Sequence, residues 1–243
     1  MTANPDWLQQ APLLTAENWR HGWTTSKGPD FGSDPTGADH EKCVAVLAKT
    51  AGLEECAWAR QVHGGRVLEV AAGGFAGEAD ALWTVKPGLG VVGRGADCPL
   101  ILAGGTLPDG SRIWGFAHAS WRSTVKGITA GLILAMTDRG AAAEDLRAVI
   151  CPSAGPCCYE VGEDVRQAAL SGLGPGSAWF FLERTSGFTF DLWGANLAQL
   201  TAAGVLQEHV FNVGLCTICS GDQFPSFRRD GDRAGRFAAV IGY

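Results

Sequence analysis

The sequence is short of several things. It has no stretch of about eighteen apolar residues, so nothing in it reads as a membrane-spanning helix. Its 19 Lys and Arg are outnumbered by 25 Asp and Glu, for a formal net charge of −6. They form no basic run of the kind that grips a phosphate backbone, which argues against sequence-independent nucleic-acid binding. The first residues, MTANPDWLQQ, place no basic region ahead of an apolar core. A secretory signal is therefore not expected, and a cytoplasmic address is. There is no internal repeat and no low-complexity tract. Histidine is scarce, with five in 243 residues, so each imidazole is a candidate for chemistry.

What is present is a globular composition, 46% hydrophobic and 18% charged. A chain of this length buries roughly three quarters of its unfolded surface and needs no disulfide staples. Residues 1–243 are expected to form one domain. The eight cysteines then read as buried thiols, ligands or nucleophiles. Apolar spacing predicts helices over Asp39–Thr50 and Glu163–Leu170, and another starting at an Asp191 N-cap and closing at Gly204. One continuous helix is expected from Trp121 onward, because Val125, Ile128, Leu132 and Met136 fall on one face before Gly140. Arg66–Val70, Leu89–Gly93, Ile113–His118, Ala148–Cys151, Val210–Val213 and Phe237–Ile241 read as strands. Strands and helices do not alternate strictly, which points to an α+β fold with mixed sheets packed against helices.

Of the histidines, His40 and His209 read as solvated or structural. His63 and His118 sit at strand ends among small residues, in Gln-Val-His-Gly and Ala-His-Ala-Ser-Trp. Cys98, in Ala-Asp-Cys-Pro, follows a third strand. Two imidazoles and one thiolate from separate segments leave one tetrahedral position open, the pattern of a catalytic rather than a structural zinc. The plainer alternative is an ordinary buried thiol beside two core histidines. Trp121-Arg122-Ser123-Thr124 opens the helix after His118. Arg122, Ser123 and Thr124 could bind an anion there, or Ser/Thr could simply cap the helix. Phe227-Arg228 combines a stacking ring with a guanidinium, against a surface turn as the plain alternative. Cys216-Thr217-Ile218-Cys219 and the pair Cys157-Cys158 have the residue types of a structural zinc site or a redox pair. A second C-x-x-C is lacking, however, and Gly-Pro-Cys-Cys-Tyr reads as a tight turn.

Taken in order, QVHG (61–64), ADALWT (79–84), ADCPLIL (96–102), FAHASWRST (116–124), ICPSAGPCCYEVG (150–162), FDLWGANLAQL (190–200), CTIC (216–219) and FPSFRRDGDRAGRF (224–237) resemble the YfiH-like, or laccase-domain, family. The resemblance implies an α+β domain and a metal site made of His63, Cys98 and His118. It implies zinc-dependent purine nucleoside chemistry: phosphorolysis of adenosine, inosine and methylthioadenosine, and deamination of adenosine. Copper-dependent polyphenol oxidation and editing of a peptidoglycan precursor are further activities linked to the family. In the last of these, Cys98 would act as nucleophile or a metal-bound water would attack an amide.

On this reading Cys98, His63, His118 and Asp97 are the catalytic group, with Asp97 a proton shuttle or a partner of the ligands by adjacency. Arg122, Ser123, Thr124, Tyr159, Phe227 and Arg228 are the substrate-binding group, Tyr159 and Phe227 as base-stacking rings. The cofactor is Zn2+, or alternatively Cu2+. The partners are a purine nucleoside and phosphate, with the chain a monomer or homodimer. Two departures from the family pattern stand out. Thr24-Thr25-Ser26-Lys27-Gly28 replaces a Thr-Arg-Gly-Gly segment, leaving Lys27 as a point charge ahead of the short Gly32-Ser33-Asp34-Pro35 stretch. Ser120 and Ser123 replace glycines and are expected to narrow an anion pocket or alter the backbone.

Overall fold

A computed structural model describes residues 5–32, 34–185 and 187–243; Ser33, Ser186 and the first four residues lie outside them. Among the described residues the strands are β1 (Leu8–Gln9), β2 (Arg20–Thr24), β3 (Glu55–Arg60), β4 (Val67–Glu69), β5 (Gly74–Glu78), β6 (Ala81–Thr84), β7 (Leu89–Gly95), β8 (Leu100–Thr106), β9 (Arg112–His118), β10 (Arg147–Ile150), β11 (Glu160–Val161), β12 (Phe181–Arg184), β13 (Gly187–Phe190), β14 (Val210–Asn212) and β15 (Phe237–Gly242). The helices are α1 (Pro12–Thr15), α2 (Ala38–Ala51), α3 (Trp121–Val125), α4 (Ile128–Asp138), α5 (Glu163–Leu173), α6 (Leu192–Ala202) and α7 (Phe227–Asp230).

Two six-stranded mixed sheets, β1-β2-β15-β7-β3-β5 and β14-β10-β8-β9-β6-β4, pack face to face. The period-2 alternation of side chains explains how. Leu89 and Val91 of β7, with Ala239 and Ile241 of β15, meet Leu100 and Leu102 of β8 and Trp114 and Phe116 of β9 between the sheets. The alternate residues face outward under helices. Val92, Ala238 and Val240 lie against Val44, Leu47 and Ala48 of α2. Ile101, Ala103 and Ala117 lie against Ile128, Leu132, Ile133 and Met136 of α4 and Leu200 of α6. The central strands are therefore buried on both faces, which is why β8 is a continuous apolar run rather than an alternating one. Gly93 permits the close approach of the sheets, since a Cβ there would lie 2.6 Å from the Phe116 ring. A small antiparallel sheet, β11-β13-β12, packs with α5 through a separate cluster that includes Tyr159, Val165 and Phe190.

The α+β architecture expected from the sequence is the one observed. One helix differs: the segment from Trp121 onward is two helices. Gly127 adopts φ +75 and breaks the run after Lys126, so apolar residues on one face here belong to two successive helices. Asp191 caps α6 as expected, its Oδ1 accepting from the Gly194 N–H at 2.9 Å.

Candidate metal centre

The chain crosses from one sheet to the other at one end of the sandwich. The β3–β4 connection carries His63 and the β7–β8 turn carries Asp97 and Cys98. His118 closes β9 in register with Leu100 of β8, so the turn before Leu100 lies beside it. By alternation, His118 shares the inter-sheet face with Trp114 and Phe116. The ligand atoms of His63, Cys98 and His118 all fall within 4.8 Å of one another, and the two imidazole centroids are 5.1 Å apart.

Asp80, fully buried, organises this group although the sequence reading gave it no role. Its carboxylate accepts from His118 Nδ1 at 2.9 Å, from the His63 N–H at 3.0 Å and from the Gly64 and Val62 N–H groups at 2.7 and 3.2 Å. Binding Nδ1 leaves Nε2 of His118 free to face the centre and fixes the ring, as carboxylate partners of metal-binding histidines do. The backbone bonds also hold His63 at φ +56, a conformation unusual for a side chain of its size. The sequence signal was a lone carboxylate between alanines in Ala79-Asp80-Ala81.

Burial pushes the Cys98 thiol up, but neighbouring His118, then His63, outweigh it and bring it down to about 6. Burial likewise favours neutral His118, but the Cys98 and Asp80 charges win and carry it up to about 9. Asp80 itself lies below the usual carboxylate range, because hydrogen bonding from His118 and from backbone N–H groups overcomes its burial. The metal-free centre is thus a thiolate–imidazolium–carboxylate line.

A cavity of about 330 Å³ opens over the trio, walled by Gln61, Arg94, Arg236 and Phe227. The sequence reading had named only Phe227 among these four. Gln61 clamps the Arg94 backbone through two bonds of 2.7 and 2.9 Å, and the Arg94 guanidinium donates to the Gly32 carbonyl at 2.8 Å. Burial, and then the nearby Arg236 charge, lower Arg94 to about 10, so it is still a cation at neutral pH. Arg236 bonds the Ala234 and Gly235 carbonyls, so two guanidiniums line the cavity and give it the charge to receive an anion. The available signal was the single charge in the apolar strand Leu-Gly-Val-Val-Gly-Arg.

The other sequence candidates are dispersed around this cavity. Asp97, at φ +88, turns its carboxylate away from the trio: Oδ1 accepts from Thr217 Oγ1 at 2.6 Å and Oδ2 from the Arg228 N–H at 2.7 Å. Arg228 stacks its guanidinium 4.6 Å from the buried Tyr159 ring and donates to the Glu160 carbonyl. Arg122 is exposed over Trp121 at 4.3 Å and does not line the cavity. Ser123 and Thr124 are buried. Thr124 Oγ1 donates to the Ala119 carbonyl at 3.1 Å. Ser120 and Ser123 bond each other, Oγ to Oγ at 2.8 Å, and Ser120 caps α3 through the Ser123 N–H. Their hydroxyls close this five-residue helix from within. Lys27 is exposed, and Ser26 lines a neighbouring cavity of about 530 Å³ that shares Arg236 with the first.

The fold is mixed α+β, and the His-Cys-His cluster under the arginine-walled cavity is a group that could hold a metal ion. The chain belongs to the family described as multi-copper polyphenol oxidoreductase laccase, whose sequence profile matches residues 33–243. It is 37% identical over 247 residues to a protein of Deinococcus radiodurans named purine nucleoside phosphorylase, covering 95% of this chain and 92% of that one. Purine nucleoside phosphorylase YlmD of Geobacillus stearothermophilus is 34% identical over 78% of this chain and 73% of its own. The crystal structure of YlmD from that organism superposes with a TM-score of 0.82 at 30% identity, covering 98% and 99% of the two chains. That of the Bacillus licheniformis hypothetical protein YfiH does so at 0.79 and 28%, covering 91% of each. No helix among the described residues is long and apolar enough to cross a membrane.

Proposed function

We propose that this chain is a zinc-dependent purine nucleoside enzyme that phosphorolyses adenosine, inosine and methylthioadenosine and deaminates adenosine. The observation carrying the reading is the cavity itself: three metal-ligand side chains at its floor, two arginines in its wall and an aromatic ring at its edge. The donor set fits zinc. A low-pKa thiolate and two imidazoles, one oriented by Asp80, leave a coordination position toward the cavity. When bound, zinc supplies Lewis acidity and an activated water at neutral pH.

The chain's own residues do the rest. Arg94 and Arg236 hold phosphate against the sugar. A phosphate oxygen bonds to the anomeric carbon as the glycosidic bond breaks, releasing free base and sugar 1-phosphate. Phe227, on α7, stacks the base, and Arg228 over Tyr159 together with Asp97 fixes that short helix in place. In deamination, water adds to the amino-bearing carbon of adenine and ammonia leaves. Arg122 presents a further exposed cation outside the cavity lining. The partners are small molecules rather than nucleic acid, the setting is cytoplasmic, and the chain works as a monomer or homodimer.

Zinc-loaded protein given each nucleoside with and without phosphate tests this. Free base should appear only with phosphate, and inosine should form from adenosine in either case. Cys98→Ala should abolish both. Absence of turnover with zinc demonstrably bound contradicts the reading.

Copper-dependent oxidation is the rival for the same ligands. A multicopper cluster needs more histidines than converge here. His21 and His40 are buried elsewhere on backbone partners, and His209 bonds Arg147 and the Glu144 carbonyl. Metal analysis and visible absorption separate the two. A metal-free amide hydrolase acting on a peptidoglycan precursor is favoured by one observation, the Cys98–His118–Asp80 line, which has the order of a nucleophile, base and orienting acid. Hydrolysis surviving a chelator would support it.

A further inference from the structure

Cys157, Cys158, Cys216 and Cys219, which the cavity chemistry does not use, come together. One pair follows β10 in a tight turn and the other follows β14. These strands are parallel neighbours, so both loops leave the same end of the sheet. The loops are zipped together by the Ser153–Cys216 bridge, with the Ser153 N–H on the Leu215 carbonyl at 3.1 Å and the Thr217 N–H on the Ser153 carbonyl at 3.0 Å. All four sulfurs fall within 4.8 Å of one another. We propose that these four cysteines hold a second, structural zinc ion that braces the wall of the cavity.

Three features support a metal over four loose thiols. Zinc–sulfur bonds of about 2.3 Å in a tetrahedron place sulfurs about 3.8 Å apart, and Cys157 Sγ lies 3.7 Å from Cys219 Sγ. All four positions are thiols, a closed set with no vacancy for substrate, which is the structural type of site. Cys216 Sγ accepts the Gly155 N–H at 3.3 Å, and Arg229 donates to the Thr217 carbonyl at 3.0 Å within the C-x-x-C turn. The Gly155 donor offsets part of the negative charge of four thiolates on one dication, and the Arg229 bond holds the turn. The sequence reading weighed a zinc or redox site here and set it against a missing second C-x-x-C. The vicinal pair supplies the other two ligands because its turn folds back onto the C-x-x-C loop.

The brace reaches the cavity through bonds already described. Thr217, between the two cysteines of the C-x-x-C, binds Asp97 Oδ1, next to Cys98. The other Asp97 oxygen holds the N–H of Arg228, next to Phe227. A metal that clamps the 213–220 loop to the 151–159 loop thereby sets where the Cys98 turn and the Phe227 ring stand.

The test is metal analysis of the full chain purified without added metal, as wild type, Cys98→Ala and Cys219→Ser. Zinc retained at about one per chain in Cys98→Ala and lost by about one in Cys219→Ser is the expected result. If the cavity trio binds no zinc, wild type itself holds about one, which Cys98→Ala keeps; failure of the cavity reading is thus distinct from failure of this one. Zinc content unchanged by Cys219→Ser overturns the proposal, as does a disulfide among the four cysteines in the freshly purified protein. Should Cys219→Ser not fold, cobalt(II) replacement in Cys98→Ala decides. The intense absorption of a tetrahedral four-thiolate site supports the brace, and its absence refutes it. Stripping that metal should also raise hydrogen exchange across residues 213–230, whereas unchanged exchange denies the bracing role.

Discussion

Asp80 joins two crossovers of the fold, because one carboxylate receives the ring of His118 and the backbone of the His63 turn. Asp80→Asn keeps the shape but removes the charge that orients the imidazole. Zinc affinity at the cavity should fall about 10- to 100-fold, measured by competition with a chromogenic chelator. Unchanged affinity would mean that Asp80 only supports the turn. At Cys98 the sign of the pH effect follows from a thiol lowered to about 6. In chelator-treated protein the thiolate persists down to that pH, so alkylation at Cys98, followed by peptide mapping, should stay fast from neutrality to about pH 6 and fall below it. An ordinary thiol already slows below about 8.5. Bound metal should protect Cys98 throughout, because a ligand sulfur is not a free nucleophile.

Elements divide according to whether one local rule decides them. α2 and α6 were legible from apolar spacing and from a glycine or an Asp cap at their ends. The α3–α4 break was not, since the apolar face continues through it and only the backbone angle of Gly127 shows the turn. Gly127→Ala should destabilise the protein by about 1–2 kcal/mol, the cost of a left-handed conformation for a residue with a Cβ, as read by denaturant unfolding. β8 was not among the strands read from the sequence, although β7, β9 and β15, buried on both faces alike, were. The grouping of His63, Cys98 and His118 was legible because each lies at or just beyond a strand end beside small residues. Its supports were not: Asp80, Gln61, Arg94 and Arg236 act through contacts between segments distant in the chain. Asp97 was singled out for adjacency to Cys98, yet its visible bonds run to Thr217 and Arg228. Asp97→Ala should loosen both the 217 segment and α7, raising KM for nucleoside more than it lowers kcat. A pure kcat loss would instead favour a role in proton transfer.

Across the whole molecule, the two sheets make a sandwich, and the His63–Cys98–His118 group lies where chain passes between them. Stability and activity should then respond differently to acid. His21 is buried, with Nδ1 against the Trp19 carbonyl at 2.9 Å and Nε2 between the Ala11 N–H at 2.9 Å and the Ala11 carbonyl at 3.2 Å. Burial dominates and lowers its pKa, and it does the same for His40. The unfolded chain therefore binds more protons between each lowered value and about 6.5, so stability rises with pH in that window and is lost as pH falls through it. The thermal midpoint should drop as buffer is taken from pH 7.5 toward 5, and a flat profile would show that neither ring is buried neutral. The central claim, that His63, Cys98 and His118 converge on one metal, is tested most directly by zinc-edge anomalous scattering from crystals of the zinc-loaded protein. The account predicts a peak bonded to all three side chains, with its remaining face toward Arg94 and Arg236. Zinc bound elsewhere, with no peak among these three, would contradict it.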